Sequence, residues 1–198
     1  MQFVFFGPEG SGKGTQAKLL AEKLKTPHLV SGDLVRKYAQ EDKGIMGEIC
    51  REALDKGHYV ADSEMYVLWK QRLKEKDTQK GWVIDGFPRN LTQAHFLARK
   101  VEKYGQALDA LIFLDVPEKE SVKRLIKRGR HNPHDNVLHD SSERIKGRLK
   151  HYNRGKQGVL NYYKKRGILI KINGNRDIKT IHNDIVAKAK SLAKQSGR

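Results

Sequence analysis

The stretch Gln2-Phe3-Val4-Phe5-Phe6-Gly7-Pro8-Glu9-Gly10-Ser11-Gly12-Lys13-Gly14-Thr15-Gln16 decides how this chain folds. Residues 2–6 form a short β-prone run that ends at a glycine, which reads as a buried strand. Beyond the loop, Ala17, Leu20, Ala21 and Leu24 recur at i, i+3, i+4 and i+7, the spacing of an amphipathic helix. Strand, glycine-rich loop, lysine and helix in that order identify Gly7-x4-Gly12-Lys13 as a phosphate-binding loop. Glycines let backbone N–H groups converge on phosphate oxygens, and the helix N-terminus adds a favourable partial charge. Gly10, Ser11, Gly12, Lys13, Gly14 and Thr15 are thereby candidate ATP contacts, with the Lys13 charge meeting the β- and γ-phosphates. A hydroxyl that ligates Mg²⁺ normally follows the lysine directly. Here Gly14 intervenes and the hydroxyl falls on Thr15.

Outward from this loop, strands and helices alternate. Pro27 to Val30 reads as extended, and Ser31-Gly32-Asp33 offers cap residues for a second helix. Helices are expected over 44–56, 63–76 and 90–103, after Leu114 to Arg128, and from Asp177. Strands are expected at Trp82-Val83-Ile84, Leu111-Ile112-Phe113-Leu114 and Ile168 to Ile172. Residues 129–140 carry Gly, Pro, Asn and His without periodicity and read as a loop. Asp140 with Glu143 resembles a capping box opening a helix striped by Ile145, Leu149 and Tyr152. The lysine-rich end after Leu192 is expected to fray. The fold class is therefore α/β, a parallel sheet covered by helices on both faces, in one domain. Ligands of such sheets bind at the carboxyl ends of the strands. The glycine loop, Asp85 and Asp115 all lie at such ends.

Bulk composition narrows the partners. Among the 198 residues no apolar run approaches a membrane span, and the N-terminus lacks the basic lead of a signal sequence. Cytoplasmic residence and no membrane partner are expected. The single Cys50 excludes an internal disulfide and a cysteine-clustered zinc site. The net charge of +17 attracts anions. The basic residues are spread along the chain and no nucleic-acid module is legible, so small phosphorylated ligands are expected ahead of nucleic acid.

Further motifs give a resemblance. Gly12-Lys13-Gly14-Thr15-Gln16, Ser31-Gly32-Asp33-Leu34-Val35-Arg36, Asp85-Gly86-Phe87-Pro88-Arg89 with Gln93, Leu114-Asp115-Val116-Pro117, Arg148-Leu149 with Tyr152, and Tyr162-Tyr163 occur in that order. Along nearly its whole length the chain resembles the adenylate kinase family of nucleoside monophosphate kinases, in its short-lid form. The resemblance implies reversible, Mg²⁺-dependent transfer of the ATP terminal phosphoryl group to AMP, giving two ADP. It implies a core of 1–30, 61–128 and 142–198, an AMP-binding insertion at 31–60 and a lid at 129–141. A monomer is expected.

Phosphoryl transfer between anions needs positive charge and exclusion of water more than it needs a base. A phosphate monoester has a second pKa near about 6, so the acceptor oxygen is already ionised at neutral pH. The arginines are accordingly the candidates. By resemblance, Arg36 and Arg89 hold the acceptor phosphate, Arg124 flanks the ATP base, Arg128 contacts the transferring phosphates and Arg148 is the catalytic arginine. Arg144 matches nothing and reads as surface. Asp85 at a strand end organises Mg²⁺ through water, with Asp33 as a second carboxylate that also suits a helix cap. Ser31, His58, Tyr59, Val60, Gly86, Phe87, Pro88 and Gln93 correspond to the AMP pocket, and Arg176 to the strip beside the ATP adenine. By the same resemblance, Gln93 and Ser31 point to AMP as acceptor over UMP or CMP.

Two departures stand out. The lid reads Asn136-Val137-Leu138-His139-Asp140 where the family shows Gly-Arg-x-Asp-Asp, so Val137 stands in an arginine's place. Arg130 is the candidate replacement. His131, His134, His139 and Asp140 lack a recognised zinc spacing, and no zinc is expected. Glu9 brings a negative charge into the phosphate loop, where the family commonly has proline, and is expected to point outward. The competing functions are a UMP/CMP-type kinase and, from another class, an RNA-binding P-loop protein with weak kinase activity.

Overall fold

The structure is a computed structural model, and it describes residues 1–129 and 140–195. The strands are β1 (Gln2–Phe6), β2 (His28–Val30), β3 (Trp82–Asp85), β4 (Ala110–Asp115) and β5 (Leu169–Asn173). They pair in parallel in the order β2-β3-β1-β4-β5. Alternation along each strand sorts the core into two layers. Val4, Phe6, Trp82, Ile84, Leu111 and Phe113 face one layer. Phe3, Phe5, Val83, Ala110, Ile112 and Leu114 face the other. Burying each such side chain stabilises the fold by about 1.5–3 kcal/mol relative to exposure. Sheets buried on both faces require this near-continuous apolar pattern.

The described helices are α1 (Lys13–Leu24), α2 (Ser31–Glu41), α3 (Ile45–Asp55), α4 (Asp62–Arg72), α5 (Leu91–Lys103), α6 (Glu118–Arg128), α7 (Ser142–Lys165) and α8 (Ile178–Gln195). α1 and α8 cover the second layer through Ala17, Leu20, Ile181 and Ile185. The first layer takes Leu68 and Trp69 from α4, Phe96 and Leu97 from α5, and Val159 and Tyr163 from α7. α2 and α3 pack on one another and join that layer through Leu34, Val35 and Cys50.

Several local expectations are corrected. Ser31 lies inside the first turn of α2, with Val30 at its boundary, and no side chain caps that helix. α4 stops at Arg72, and a short 3₁₀ turn follows at Lys76–Thr78. The Arg72 guanidinium reaches forward to both Asp77 oxygens, at 2.8 and 2.6 Å, and fastens the chain across this turn. α7 is capped by Ser141, whose Oγ accepts from the Arg144 N–H at 3.4 Å; Asp140 takes no part in that cap. Independently of these corrections, α8 is helical to Gln195, with Leu192 packed at the edge of the core. The residue-level readings at Arg130, His131, His134, Val137 and His139 lie outside the described residues.

Candidate active site

β1 delivers the chain into the phosphate loop and α1 carries it away. Gly10 adopts φ +82°, and a Cβ there would stand 2.5 Å from the Ser121 carbonyl oxygen on α6. Only glycine lets the loop lie against that helix. Gly12 closes the loop in the left-handed region at φ +86° and opens α1 without a side-chain cap, so its first N–H groups stay available to an anion. Lys13 Nζ donates to the Pro8 carbonyl at 3.3 Å, folded over the loop.

A cavity of about 450 Å³ opens above this loop, at the carboxyl ends of β1 and β3. Lys13, Arg36, Arg89, Arg124, Arg128 and Arg148 all line it, with Glu9 and Asp85 as the lining carboxylates. Such a concentration of fixed cations suits a polyanion and stabilises charge developing on it. Asp140 fastens the α6 and α7 arginines together. Arg128 grips it with two bonds, Nε at 2.8 Å and Nη2 at 2.9 Å, and Arg148 Nη2 donates to it at 3.0 Å. The Asp140 side chain is wholly buried. Asp140 therefore positions the two guanidiniums, which explains its place in the sequence better than capping does.

Glu9 does not point outward. Its carboxylate accepts from Arg148 Nη1 at 2.6 Å and from the Tyr59 hydroxyl at 2.9 Å. Apposed cations and a donor outweigh the tendency of a loop carboxylate to seek water. Burial pushes the Glu9 carboxyl up, but Lys13, Arg148, Tyr59 and Arg89 together bring it below its ordinary value. The Arg89 guanidinium lies 3.7 Å over the Tyr59 ring, and the His151 ring stands 5.0 Å from it. Burial and then the Arg89 charge hold His151 below its ordinary value. Glu9, Tyr59, Arg89 and Arg148 thus form one connected cluster.

The family model for adenylate kinase matches residues 5–168. An adenylate kinase of Methanocella arvoryzae is 36% identical over 98% of this chain and 100% of its own. An adenylate kinase of Prochlorococcus marinus is 38% identical over 93% of this chain and 96% of its own. One named adenylate kinase 1, from Nostoc, is 36% identical over 94% and 97%. The chain belongs to the adenylate kinase family.

Several residues that the family motifs single out meet at the cavity: the loop glycines with Lys13 and Thr15, Arg36, Tyr59, Asp85 with Gly86, Pro88 and Arg89, and Arg124, Arg128 and Arg148. Others lie outside its lining. Ser11, Ser31, Val60 and Phe87 are buried. Ser31 Oγ, beside Gly86, has no protein partner among the described residues. His58 is exposed. Arg124 is tied to Glu120, to the Gly174 carbonyl at 3.1 Å and to Asn175. Arg176 pairs with Asp184, and Asp33 with Arg36.

Gln93, expected from the sequence to meet the acceptor base, is bonded within the protein. Its Oε1 accepts from the Arg89 backbone N–H at 2.7 Å, and its Nε2 donates to Asp62 at 2.6 Å. Asn90 also donates to Asp62 and caps α5. These bonds fix the turn that aims Arg89, whose Nε donates to the Gly86 carbonyl at 2.9 Å.

Asp85 has the surroundings of a cation position. Its Oδ1 is buried with no protein partner among the described residues, and Oδ2 would stand 3.1 Å from a Cβ at Gly14. An unpaired carboxylate oxygen beside the phosphate loop fits a hydrated divalent cation. Glu9, Asp140, Asp62 and His151 escaped the sequence reading as residues of the site or its bracing. Arg144 is half-buried rather than a free surface residue, packed where a Cβ at Gly57 would stand 3.3 Å from its guanidinium carbon. The Glu9 charge was visible in the sequence. Its partners are 50 positions away at Tyr59 and further still at Arg148, and no local pattern reveals them.

Proposed function

We propose that the chain is an ATP:AMP phosphotransferase, interconverting ATP plus AMP with two ADP by direct in-line transfer. The observation that carries this is the meeting of Lys13, Arg36, Arg89, Arg128 and Arg148 on one cavity above the phosphate loop. The loop N–H groups and Lys13 bind the donor phosphates. Arg36 and Arg89 hold the acceptor phosphate, whose oxygen attacks without a general base. Arg128 and Arg148, held by Asp140, neutralise charge on the transferring group. Thr15 and Asp85, with Asp33 as an outer carboxylate, would hold a hydrated Mg²⁺, which would supply further neutralisation of the donor phosphates.

Closure of the 31–60 insertion over the 1–30, 61–128 and 142–198 core would exclude water, which otherwise hydrolyses ATP; the lid expected at 129–141 lies largely outside the described residues. The family resemblance at Ser31 and Gln93 supports AMP as acceptor, with Tyr59 bordering the cavity and His58 and Val60 beside it in the chain; Gln93, bonded to the Arg89 N–H and to Asp62, would meet a base only through its remaining lone pair and N–H. Arg124 and Arg176 border the donor base. Both nucleotides meet side chains of one chain, so a monomer suffices. The setting is the cytoplasm. ATP–Mg²⁺ offered with AMP, GMP, CMP and UMP in turn tests the proposal. ADP formation stimulated chiefly by AMP is expected, and no stimulation by AMP overturns it.

A further inference from the structure

The Glu9 carboxylate is the feature of the cavity that the proposed reaction leaves unused. It sits among cations that phosphoryl transfer needs for phosphate: bonded to Arg148 at 2.6 Å, with Lys13 and Arg89 near enough to act on it electrostatically. Tyr59 holds it from the other side at 2.9 Å, and the same tyrosine ring carries the Arg89 guanidinium. A carboxylate on Arg148 satisfies part of the donor fork that a phosphate oxygen would use, because both anions take guanidinium N–H groups in the same plane.

We propose that Glu9 is an internal competitor for the substrates' phosphates: it occupies Arg148 and must be displaced from it, and from Tyr59, when a phosphate binds there. This rests on the phosphotransferase reading for its consequence, though not for its contacts. The displaced carboxylate needs a new position, and the Tyr59 hydroxyl is released with it. Binding of a phosphate at Arg148 then exchanges the Glu9–Tyr59 contact between the phosphate loop and the 31–60 segment for contacts to the ligand. Glu9 thereby lowers nucleotide affinity and links the two halves of the cavity.

A simple structural role predicts the opposite sign from competition. Loss of a supporting contact weakens ligand binding, whereas loss of a competitor tightens it. Two variants read this. Glu9→Gln keeps the shape and removes the charge. Tyr59→Phe removes one anchor of the carboxylate and keeps the ring under Arg89. Inorganic tripolyphosphate, titrated by calorimetry into the full chain and each variant, probes phosphate affinity without any base or any turnover. Each is checked by thermal unfolding, and the KM and kcat for ATP and AMP are measured beside it.

Glu9→Gln is expected to bind tripolyphosphate at least about fivefold tighter and to lower the KM of both nucleotides, with kcat not rising in step. Tyr59→Phe is expected to move binding in the same direction by less. Measurements in 0.15 M and 0.5 M salt separate direct competition from a general field effect, because the screening length at 0.15 M is already about 8 Å. Tightening that persists at 0.5 M supports the proposal. Unchanged or weaker binding in Glu9→Gln, or tightening that vanishes at 0.5 M, overturns it. Tightening in Glu9→Gln alone keeps Glu9 as the competitor and removes Tyr59 from the link. If the unaltered chain forms no ADP from ATP and AMP, the activity reading fails, and the tripolyphosphate titration still decides the role of Glu9.

Discussion

Arg148 carries two carboxylates at once, Glu9 at 2.6 Å and Asp140 at 3.0 Å, and only 11% of its side chain is exposed. Removing either acid has a different consequence. Asp140 joins Arg148 to Arg128, so Asp140→Asn is expected to destabilise by about 1–3 kcal/mol, the cost of leaving charged donors less well paired. It should also lower kcat by about tenfold or more, since both guanidiniums lose their fixed aim. Urea unfolding and steady-state turnover check the two numbers. For Glu9 the sign follows from its lowered carboxyl pKa. A carboxyl depressed on folding contributes stability above its unfolded value and loses it as pH falls through the folded one. The unaltered chain should therefore exceed Glu9→Gln by about 1–2 kcal/mol at pH 7. That gap should close as pH falls below the ordinary value of 4.5. Equal stability of the two at pH 7 would show that the ion pair contributes nothing.

Among the elements, α7 ties the site to the core. It is 24 residues long, and it presents Arg148, His151 and Tyr152 to the cavity before packing Val159 and Tyr163 into the core. Gly155 lets it abut the turn that holds Arg89: a Cβ there would stand 2.1 Å from the Arg89 carbonyl oxygen. In an exposed helix, Gly→Ala stabilises by about 1 kcal/mol. Here Gly155→Ala is expected to do the reverse, destabilising by about 1–3 kcal/mol as an overpacked contact does. It should raise the KM for AMP more than that for ATP, if Arg89 holds the acceptor phosphate as proposed. A melting temperature unchanged or raised would contradict this. The amphipathic spacing of α7 was legible from Ile145, Leu149 and Tyr152. The glycine's reason was not, because it lies in a loop 66 positions earlier, at Arg89.

At the scale of the whole molecule, 40 Lys and Arg against 23 Asp and Glu surround an anion-binding cavity. Such a field raises the local concentration of nucleotides and is screened by salt. The KM for ATP should rise severalfold between 0.05 and about 0.5 M salt, with kcat changing less, because the cavity's own contacts are short. Flat KM values across that range would confine the electrostatics to the cavity. The parallel sheet also explains why the site forms where it does. β1 and β3 are neighbours, pairing Phe5 with Asp85, so the phosphate loop and the Asp85-Gly86-Phe87-Pro88-Arg89 turn emerge side by side.

The sequence by itself determined the strand–loop–helix unit and the alternation that makes a parallel sheet, while the arginines that line the cavity were legible through the resemblance of their motifs to a family. These depend on local spacing and on residue chemistry, which a linear pattern retains. Only the tertiary structure decided where the charges meet. It turned Glu9 inward onto Arg148 and Tyr59, made Asp140 a clasp for Arg128 and Arg148 instead of a helix cap, and committed Gln93 to Asp62 and the Arg89 backbone. The physical reason is common to all three. A polar side chain chooses among partners by the desolvation it suffers and the charges it meets, and both are set by segments distant in sequence.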